Sequence, residues 1–166
     1  WFFSAIIDKE REDAYESSSN SDATVKDKIQ NIRTAGTYIE KIKAENPDFV
    51  ILPEMFCCPY QTENFQFMQK KKVVHPGRQC LIMPESINLS DRRSMPEADD
   101  VGKVYNTSYI FDRDGKQIGK HRKAHLFDIN VKRPAFKESD TLTSGDHATV
   151  FDTEFGKWGH DLLRHP

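Results

Sequence analysis

The first sixty residues carry three apolar segments separated by polar ones, and their periods differ. Residues 2–7 form a short apolar run that predicts a buried strand. A helix is predicted next, because small and apolar residues recur at steps of three and four: Val25, Ile29, Ile32, Gly36, Ile39 and Ile42. Its candidate N-caps are Ser21, Asp22 and Thr24. Residues 49–52, bounded by Pro47 and Pro53, predict a strand buried on both faces. Strand, helix and strand together predict a βαβ unit and an α/β fold.

Two hairpins are predicted in the second half of the chain. Residues 104–111 are rich in residues that favour strands. The Asp-Gly pair within residues 112–115 is a strong turn signal, so residues 116–121 are expected to return as a partner strand. Residues 149–156 predict a second hairpin.

The remaining segments are predicted as loops or carry no assigned element. Residues 8–22 are charged and rich in serine, and residues 130–139 contain Pro134; both predict loops. Residues 65–72 favour a short helix, but prolines and charged residues leave residues 70–100 without a clear period. Because the sequence shows no internal repeat and no linker, residues 1–166 are expected to form a single domain.

Composition excludes several classes of function. Lys and Arg number 24 and Asp and Glu number 26, so the formal charge of −2 favours neither nucleic acid nor an anionic membrane as a partner. The basic run from Lys116 to Lys123 lacks the aromatic residues of a nucleic-acid binder. No apolar stretch approaches the roughly 20 residues that span a bilayer. Three cysteines do not make a disulfide framework. A reducing compartment is expected, the cytoplasm first and the mitochondrion as the alternative.

Three residues are candidates for catalysis, and each also has an ordinary structural interpretation. Glu54 follows a buried strand, where a partly desolvated carboxylate can act as a general base or can simply be a solvated strand end. Lys123 follows the hairpin, where its ammonium can stabilise an oxyanion or can be surface charge. Glu138 can orient that lysine or a substrate amine, or it can be a loop charge.

Other candidates are weaker. His121 and His125 are four apart, but a metal site of that spacing needs a helix and further ligands, and this segment is predicted as strand. Cys57 and Cys58 could be nucleophiles if a base activated them, although small buried cysteines are the commoner case. The turn at residues 112–115 is too short for a calcium loop.

Five segments occur in an order and at a spacing that are specific jointly. They are Ile51-Leu-Pro-Glu54 with Pro59-Tyr60, Ser94-Met-Pro-Glu97 with Gly102-Lys-Val-Tyr-Asn-Thr107, Arg122-Lys-Ala-His-Leu-Phe-Asp128, Phe136-Lys-Glu-Ser139 with Leu142-Thr-Ser-Gly-Asp146, and Phe151 to Gly159. Together they resemble the nitrilase, or carbon–nitrogen hydrolase, superfamily, and within it the omega-amidase branch. The resemblance covers residues 24–60 and 94–159.

The resemblance implies a fold and an activity. The fold is an α-β-β-α sandwich, usually paired across a dimer, so a homodimer is one expected partner state. The activity is hydrolysis of small dicarboxylic monoamides, in which a cysteine forms a thioester and ammonia leaves. By resemblance Glu54 is the general base, Lys123 stabilises the oxyanion and Glu138 supports the site. No metal or organic cofactor is implied.

One residue of this site does not occur in the sequence. The family's nucleophilic cysteine lies a few residues after the segment that here is Gly156-Lys-Trp-Gly159, but His160 and Asp161 follow it, and no cysteine occurs after Cys80. We therefore expect the chain to be a truncated, N-terminal portion of the family domain and to be inactive. The alternative is a non-catalytic remnant that pairs with an intact homologue or another partner.

Overall fold

The structure is a computed structural model that describes residues 3–6, 16–17, 24–43, 49–65, 90–129, 136–153 and 156–160. In these ranges the α-helix α1 and ten strands follow one another along the chain: β1 Phe3–Ile6, β2 Glu16–Ser17, α1 Lys28–Lys43, β3 Phe49–Ile51, β4 Ser90–Ala98, β5 Val104–Phe111, β6 Gln117–Arg122, β7 Asp128–Ile129, β8 Phe136–Lys137, β9 Thr149–Thr153 and β10 Gly156–His160. Residues 62–65 are also α-helical. A 3-10 turn, Glu138–Asp140, directly follows β8.

Six of the described strands form one mixed sheet in the order β2-β1-β3-β4-β5-β6. β3 and β4 are parallel, and the other neighbours are antiparallel. The α/β class is therefore confirmed, but the simple βαβ unit is wrong, because β1 and β3 run antiparallel. The reason is β2, which lies in the segment predicted as a loop. β2 reverses the chain beside β1 before α1 carries it across to β3.

The helix predicted from the apolar stripe is confirmed, but its beginning is different. Asp27 caps α1, because its carboxylate accepts hydrogen bonds from the backbone N–H groups of Ile29 and Gln30 at 2.9 and 3.2 Å. The predicted caps, Ser21, Asp22 and Thr24, lie upstream of it. Of the stripe, Ile39 and Ile42 are buried, as is the neighbouring Ala35, whereas Val25 and Ile29 are 39% and 55% exposed.

Strand β4 had no sequence signal, since it combines four charged residues with a proline. Its pairing with β3 ends at Arg92, so Pro96 lies beyond that ladder, where a missing N–H is tolerated on this side. On the other side Pro96 is opposite Asn106 of β5. The strand thus brings the Ser94–Glu97 motif against β5 and extends the sheet where no element was assigned.

Both predicted hairpins are confirmed. Between β5 and β6, Gly115 adopts a φ of 73°, and its N–H donates to the carbonyl of Asp112 at 3.0 Å. β9 and β10 pair antiparallel from Thr149↔His160 to Thr153↔Gly156, which is longer than predicted. The loop predicted at residues 130–139 is wrong at its end, because β8 pairs with β7 there.

The core lies between α1 and the sheet. It contains the helix face together with Val50, Met55, Phe65, Met95 and Tyr109. Residues 66–89, which include most of the segment predicted as a short helix, lie outside the described residues. Among the described residues, no helix is long and apolar enough to cross a bilayer. In the same ranges, no group of three or more His, Cys, Asp and Glu side chains is arranged to hold a metal ion.

Candidate active site

Glu54 lies three residues beyond the end of β3, after the buried Leu52. The next residue, Met55, has a φ of 53°, a conformation that is uncommon for a side chain of this size and that turns the chain sharply away from the strand. Met55 is fully buried, and its N–H donates to Oγ of Ser94 at 3.3 Å. This turn leaves the Glu54 side chain at the mouth of the strand, where it is 35% exposed.

Lys123 is the first residue after β6, and its main chain is held on both sides. Its N–H donates to the carbonyl of Asn106 at 2.8 Å, and its carbonyl accepts the N–H of Gly145 at 2.8 Å. The side chain is only 7% exposed. The segment at residues 142–146, one of those that resemble the family, thus fixes the backbone of the candidate lysine.

Glu138 opens the 3-10 turn and is fully buried. Its N–H donates to the carbonyl of Phe127 at 3.2 Å, and its Oε2 accepts the N–H of Phe127 at 2.6 Å. A buried carboxylate needs charged or polar partners to offset the loss of water. Glu138 obtains them from the backbone of the β7–β8 region and from Lys123.

The structure brings the three predicted residues together. Nζ of Lys123 lies 2.9 Å from Oε1 of Glu54, and it lies 3.2 and 3.0 Å from Oε1 and Oε2 of Glu138. One ammonium therefore bridges two carboxylates that come from segments 84 residues apart. Charged hydrogen bonds in so enclosed a cluster are stronger than those on an open surface.

Tyr60 is a fourth member of this cluster that the sequence did not single out as a candidate. Its hydroxyl donates to Oε1 of Glu138, its shortest contact, lies 3.2 Å from Oε1 of Glu54, and accepts from Nζ of Lys123 at 3.4 Å. Its ring packs edge-on against Phe65 and stacks on Phe136. Burial, followed by the charges of the two carboxylates, raises the pKa of Tyr60 well above its usual range. The hydroxyl is therefore a donor at ordinary pH. Its place in the motif that also contains Glu54 was the sequence signal that could have identified Tyr60 as a site residue.

Asn106 is the other residue that sequence reasoning left without a role, although it lies in the Tyr-Asn-Thr stretch. It is fully buried, and its Nδ2 donates to Oε1 of Glu54 at 2.6 Å. Its Oδ1 accepts a hydrogen bond from the hydroxyl of Ser94. Asn106 thus touches Glu54 through its side chain and Lys123 through its carbonyl.

Glu97 holds the residue that precedes Lys123. It accepts hydrogen bonds from Nε and Nη2 of Arg122 at 3.2 and 3.0 Å, from Oγ1 of Thr107 at 2.6 Å, and from Nζ of Lys120. Burial alone raises the pKa of Glu97, but these hydrogen bonds outweigh it and hold the pKa below its ordinary value. The Arg122 guanidinium also stacks over the ring of Tyr105 at 3.8 Å.

The weaker candidates are not part of the cluster's contacts. Cys57 and Cys58 are buried and free. The hydrogen bond with Cys57, and then burial, raise the pKa of Cys58 well above its usual range, which disfavours its thiolate, whereas the same hydrogen bond lowers the pKa of Cys57. His121 lies buried within β6 with Nδ1 3.0 Å from Oγ1 of Thr149, and His125 is exposed beyond the strand.

Comparison with known proteins identifies the family of the chain. The carbon-nitrogen hydrolase family model matches residues 18–161. The chain belongs to the carbon–nitrogen hydrolase family. The chain is 40% identical over 144 residues to omega-amidase NIT3 of Saccharomyces cerevisiae, which covers 80% of this chain and 49% of the relative. It is 37% identical over 137 residues to omega-amidase NIT2 of Mus musculus, which covers 80% and 48%.

A solved structure shows the same partial correspondence. The crystal structure of Saccharomyces cerevisiae Nit3, described as a member of branch 10 of the nitrilase superfamily, superposes with a TM-score of 0.71 at 32% identity. The match covers 95% of this chain and 52% of that one. The nitrilase-like fold, present here as part of the family domain, is thereby confirmed. The chain spans about half the length of the family members that it matches.

Proposed function

We propose that this chain carries the carboxylate–lysine–carboxylate part of an amide-hydrolysing centre that acts on small dicarboxylic monoamides. The observation that carries the proposal is the bridge that Lys123 makes between Glu54 and Glu138. Two relatives named omega-amidase support the substrate class. The roles are those that the resemblance implies, with Glu54 as base, Lys123 as oxyanion donor and Glu138 as support.

The exposure and the contacts of the three side chains are consistent with these roles. Glu54 is the most exposed of the three side chains, so it can reach a proton on a reacting group. The Lys123 ammonium can donate to the oxygen that becomes negative when an amide carbon turns tetrahedral, and one such donor is typically worth about 10²–10³ in rate. Glu138 is fully buried and cannot meet substrate easily, but it fixes the ammonium's position.

A thioester route also needs a thiolate, and the sequence has cysteine only at positions 57, 58 and 80. We therefore propose that the 166-residue chain alone releases no ammonia at a useful rate, since loss of a covalent nucleophile costs roughly a millionfold in turnover. Ammonia release from succinamate that is abolished by Lys123→Ala would refute this. If Cys57→Ala or Cys58→Ala abolished it instead, the nucleophile would be one of these cysteines.

Binding tests the site without requiring turnover. We expect isothermal titration to show that succinamate binds the chain and that Lys123→Met weakens it by about tenfold or more, because a hydrogen bond to a charged group is lost. Lys116→Met removes an exposed lysine from the hairpin turn and is the matched control. Equal affinity for Lys123→Met and the unchanged chain would overturn the assignment of the site.

Two further parts of the proposal concern the surroundings of the chain. It is proposed to form a homodimer or to pair with an intact homologue, and copurification with a longer nitrilase-like protein would support the second state. The cytoplasm is the proposed compartment, with the mitochondrion as the alternative, and cell fractionation tests it.

A further inference from the structure

Asn106 contacts both Lys123 and Glu54, which form an ion pair in the site. Its carbonyl accepts the N–H of Lys123 at 2.8 Å, and its Nδ2 donates to Oε1 of Glu54 at 2.6 Å. A buried asparagine is retained where its amide is fully hydrogen-bonded, because an unsatisfied amide is costly. The contacts of Asn106 therefore indicate that it orients the side chain of Glu54.

The donor and the acceptor of each hydrogen bond in this network follow from the Glu54 carboxylate. An ionised carboxylate can only accept, so the nitrogen of the Asn106 amide must face Glu54. The amide oxygen then faces Ser94, whose hydroxyl must donate to it. The oxygen of Ser94 in turn accepts the N–H of Met55 at 3.3 Å. The result is a chain of three hydrogen bonds with one polarity, running from Met55 through Ser94 and Asn106 to Glu54.

Both ends of this chain lie on adjacent residues. It begins at the N–H of Met55, whose backbone is in the left-handed region, and it ends on the side chain of Glu54, the residue before it. Ser94 therefore holds the turn and, through Asn106, also holds the carboxylate that the turn presents. Two strands, β4 and β5, contribute these residues from the middle of the sheet.

The donors converge on one oxygen of Glu54. Oε1 accepts hydrogen bonds from Asn106 and Lys123 at 2.6 and 2.9 Å, and the hydroxyl of Tyr60 lies 3.2 Å from it. Two donors match the two lone-pair sites of a single carboxylate oxygen. We infer that Ser94 and Asn106 are positioning residues that hold Oε1, so that Oε2 is the oxygen that exchanges a proton with a reacting group. This inference rests on the proposed role of Glu54 as base.

Nuclear magnetic resonance of the ¹⁵N-labelled chain tests the inference without any turnover. The side-chain NH₂ of Asn106 should show one proton that is shifted downfield and exchanges slowly with solvent, because it donates to a charged acceptor. In Ser94→Ala the amide loses its orientation. The downfield shift should then disappear, and exchange should become about tenfold faster.

Two matched variants separate positioning from general packing. Ser94→Thr keeps the hydroxyl and should keep the signal. Ser108→Ala removes a buried hydroxyl from the same face of β5 and should leave the signal unchanged. If Ser94→Ala does not fold, Glu54→Gln serves instead, because a neutral acceptor should reduce the shift on an intact Ser94–Asn106 pair.

The outcomes are distinct from those of the proposed function. An unshifted Asn106 signal in the unchanged chain overturns the inference, as does its survival in Ser94→Ala or its equal loss in Ser108→Ala. Succinamate binding that is indifferent to Lys123→Met sinks the proposed function, whatever the amide signal shows. A downfield signal that depends on Ser94 supports the positioning role even in a chain that releases no ammonia.

Discussion

Gly145 lies against the carbonyl of Arg122 so closely that a Cβ on the glycine would be 2.2 Å from the carbonyl oxygen. The N–H of the same glycine donates to the carbonyl of Lys123. Glycine is thus required by a close approach of two backbones, and that approach fixes the residue whose ammonium bridges the two carboxylates.

The first prediction concerns this contact. Gly145→Ala should lower the free energy of unfolding by about 1–3 kcal/mol, because overpacking forces the backbone apart. It should also weaken succinamate binding, since the moved backbone carries Lys123. Urea denaturation and calorimetric titration measure the two effects. Gly159→Ala, where nothing lies within 4 Å of the added Cβ, is the control. Equal behaviour of the two variants would contradict the prediction.

Lys123→Met should be strongly destabilising. The variant leaves a fully buried Glu138 without its cationic partner, and breaking a buried pair in this way typically costs about 3–5 kcal/mol. Adding Glu138→Gln should recover part of that loss, because a neutral amide tolerates burial better than a carboxylate. Urea denaturation of both single variants and the double variant gives the coupling. Strict additivity of the two losses would show that the pair does not interact.

Glu97 should give the protein an acid-dependent stability. Its pKa is lower when folded than when unfolded, so its contribution is present above the unfolded pKa and is lost as pH falls through the folded pKa. Glu97→Gln should therefore cost about 1–3 kcal/mol at neutral pH, and the difference should vanish in acid. Urea denaturation across pH 2–7 measures it. Glu63→Gln, at an exposed position, is the control; a pH-independent Glu97→Gln difference would contradict this account.

How far the sequence predicted the structure depended on whether a signal was local. The β5–β6 hairpin was predictable because Asp112 to Gly115 carries the whole turn within four residues. β4 was not, because its stability comes from pairing with β3 and β5 on both sides rather than from its own residues. The direction of β1 was missed for the same reason, since β2 has no apolar pattern and is defined by its partner.

The candidate site shows the same division. Glu54, Lys123 and Glu138 could be named from motifs, because each segment is recognisable by itself. Tyr60 and Asn106 were present in those motifs, but their roles depend on contacts with residues 78 and 52 positions away along the chain, respectively. A lysine and two carboxylates that lie together in an enclosed site need further hydrogen-bond donors. That need was the general signal that residues such as Tyr60 and Asn106 complete the site.

The vicinal cysteines should react slowly. The hydrogen bond between the two thiols raises the pKa of Cys58 and lowers that of Cys57, but both residues are buried, so burial is what slows their reaction with a reagent. Iodoacetamide should therefore modify this cysteine pair at least about a hundredfold more slowly in the native protein than in urea-unfolded protein. This is the behaviour expected of a buried site that reacts only when the structure unfolds locally. Mass spectrometry of the peptide that contains both residues measures the rate. Modification as fast as in urea would support a reactive cysteine here.

Tyr60→Phe should separate the hydroxyl of this residue from its ring. The ring contacts with Phe65 and Phe136 remain, so the loss of the hydroxyl's hydrogen bonds to charged groups should cost about 1.5–3 kcal/mol at neutral pH. The folded pKa of Tyr60 is raised above the unfolded one, so this contribution is complete below the unfolded pKa of about 10 and is lost as pH rises above it. Urea denaturation of both proteins between pH 7 and 11 should show the difference shrinking only at the alkaline end. A Tyr60→Phe difference that is small at pH 7, or that grows toward pH 11, would show that the hydroxyl does not donate to the carboxylates.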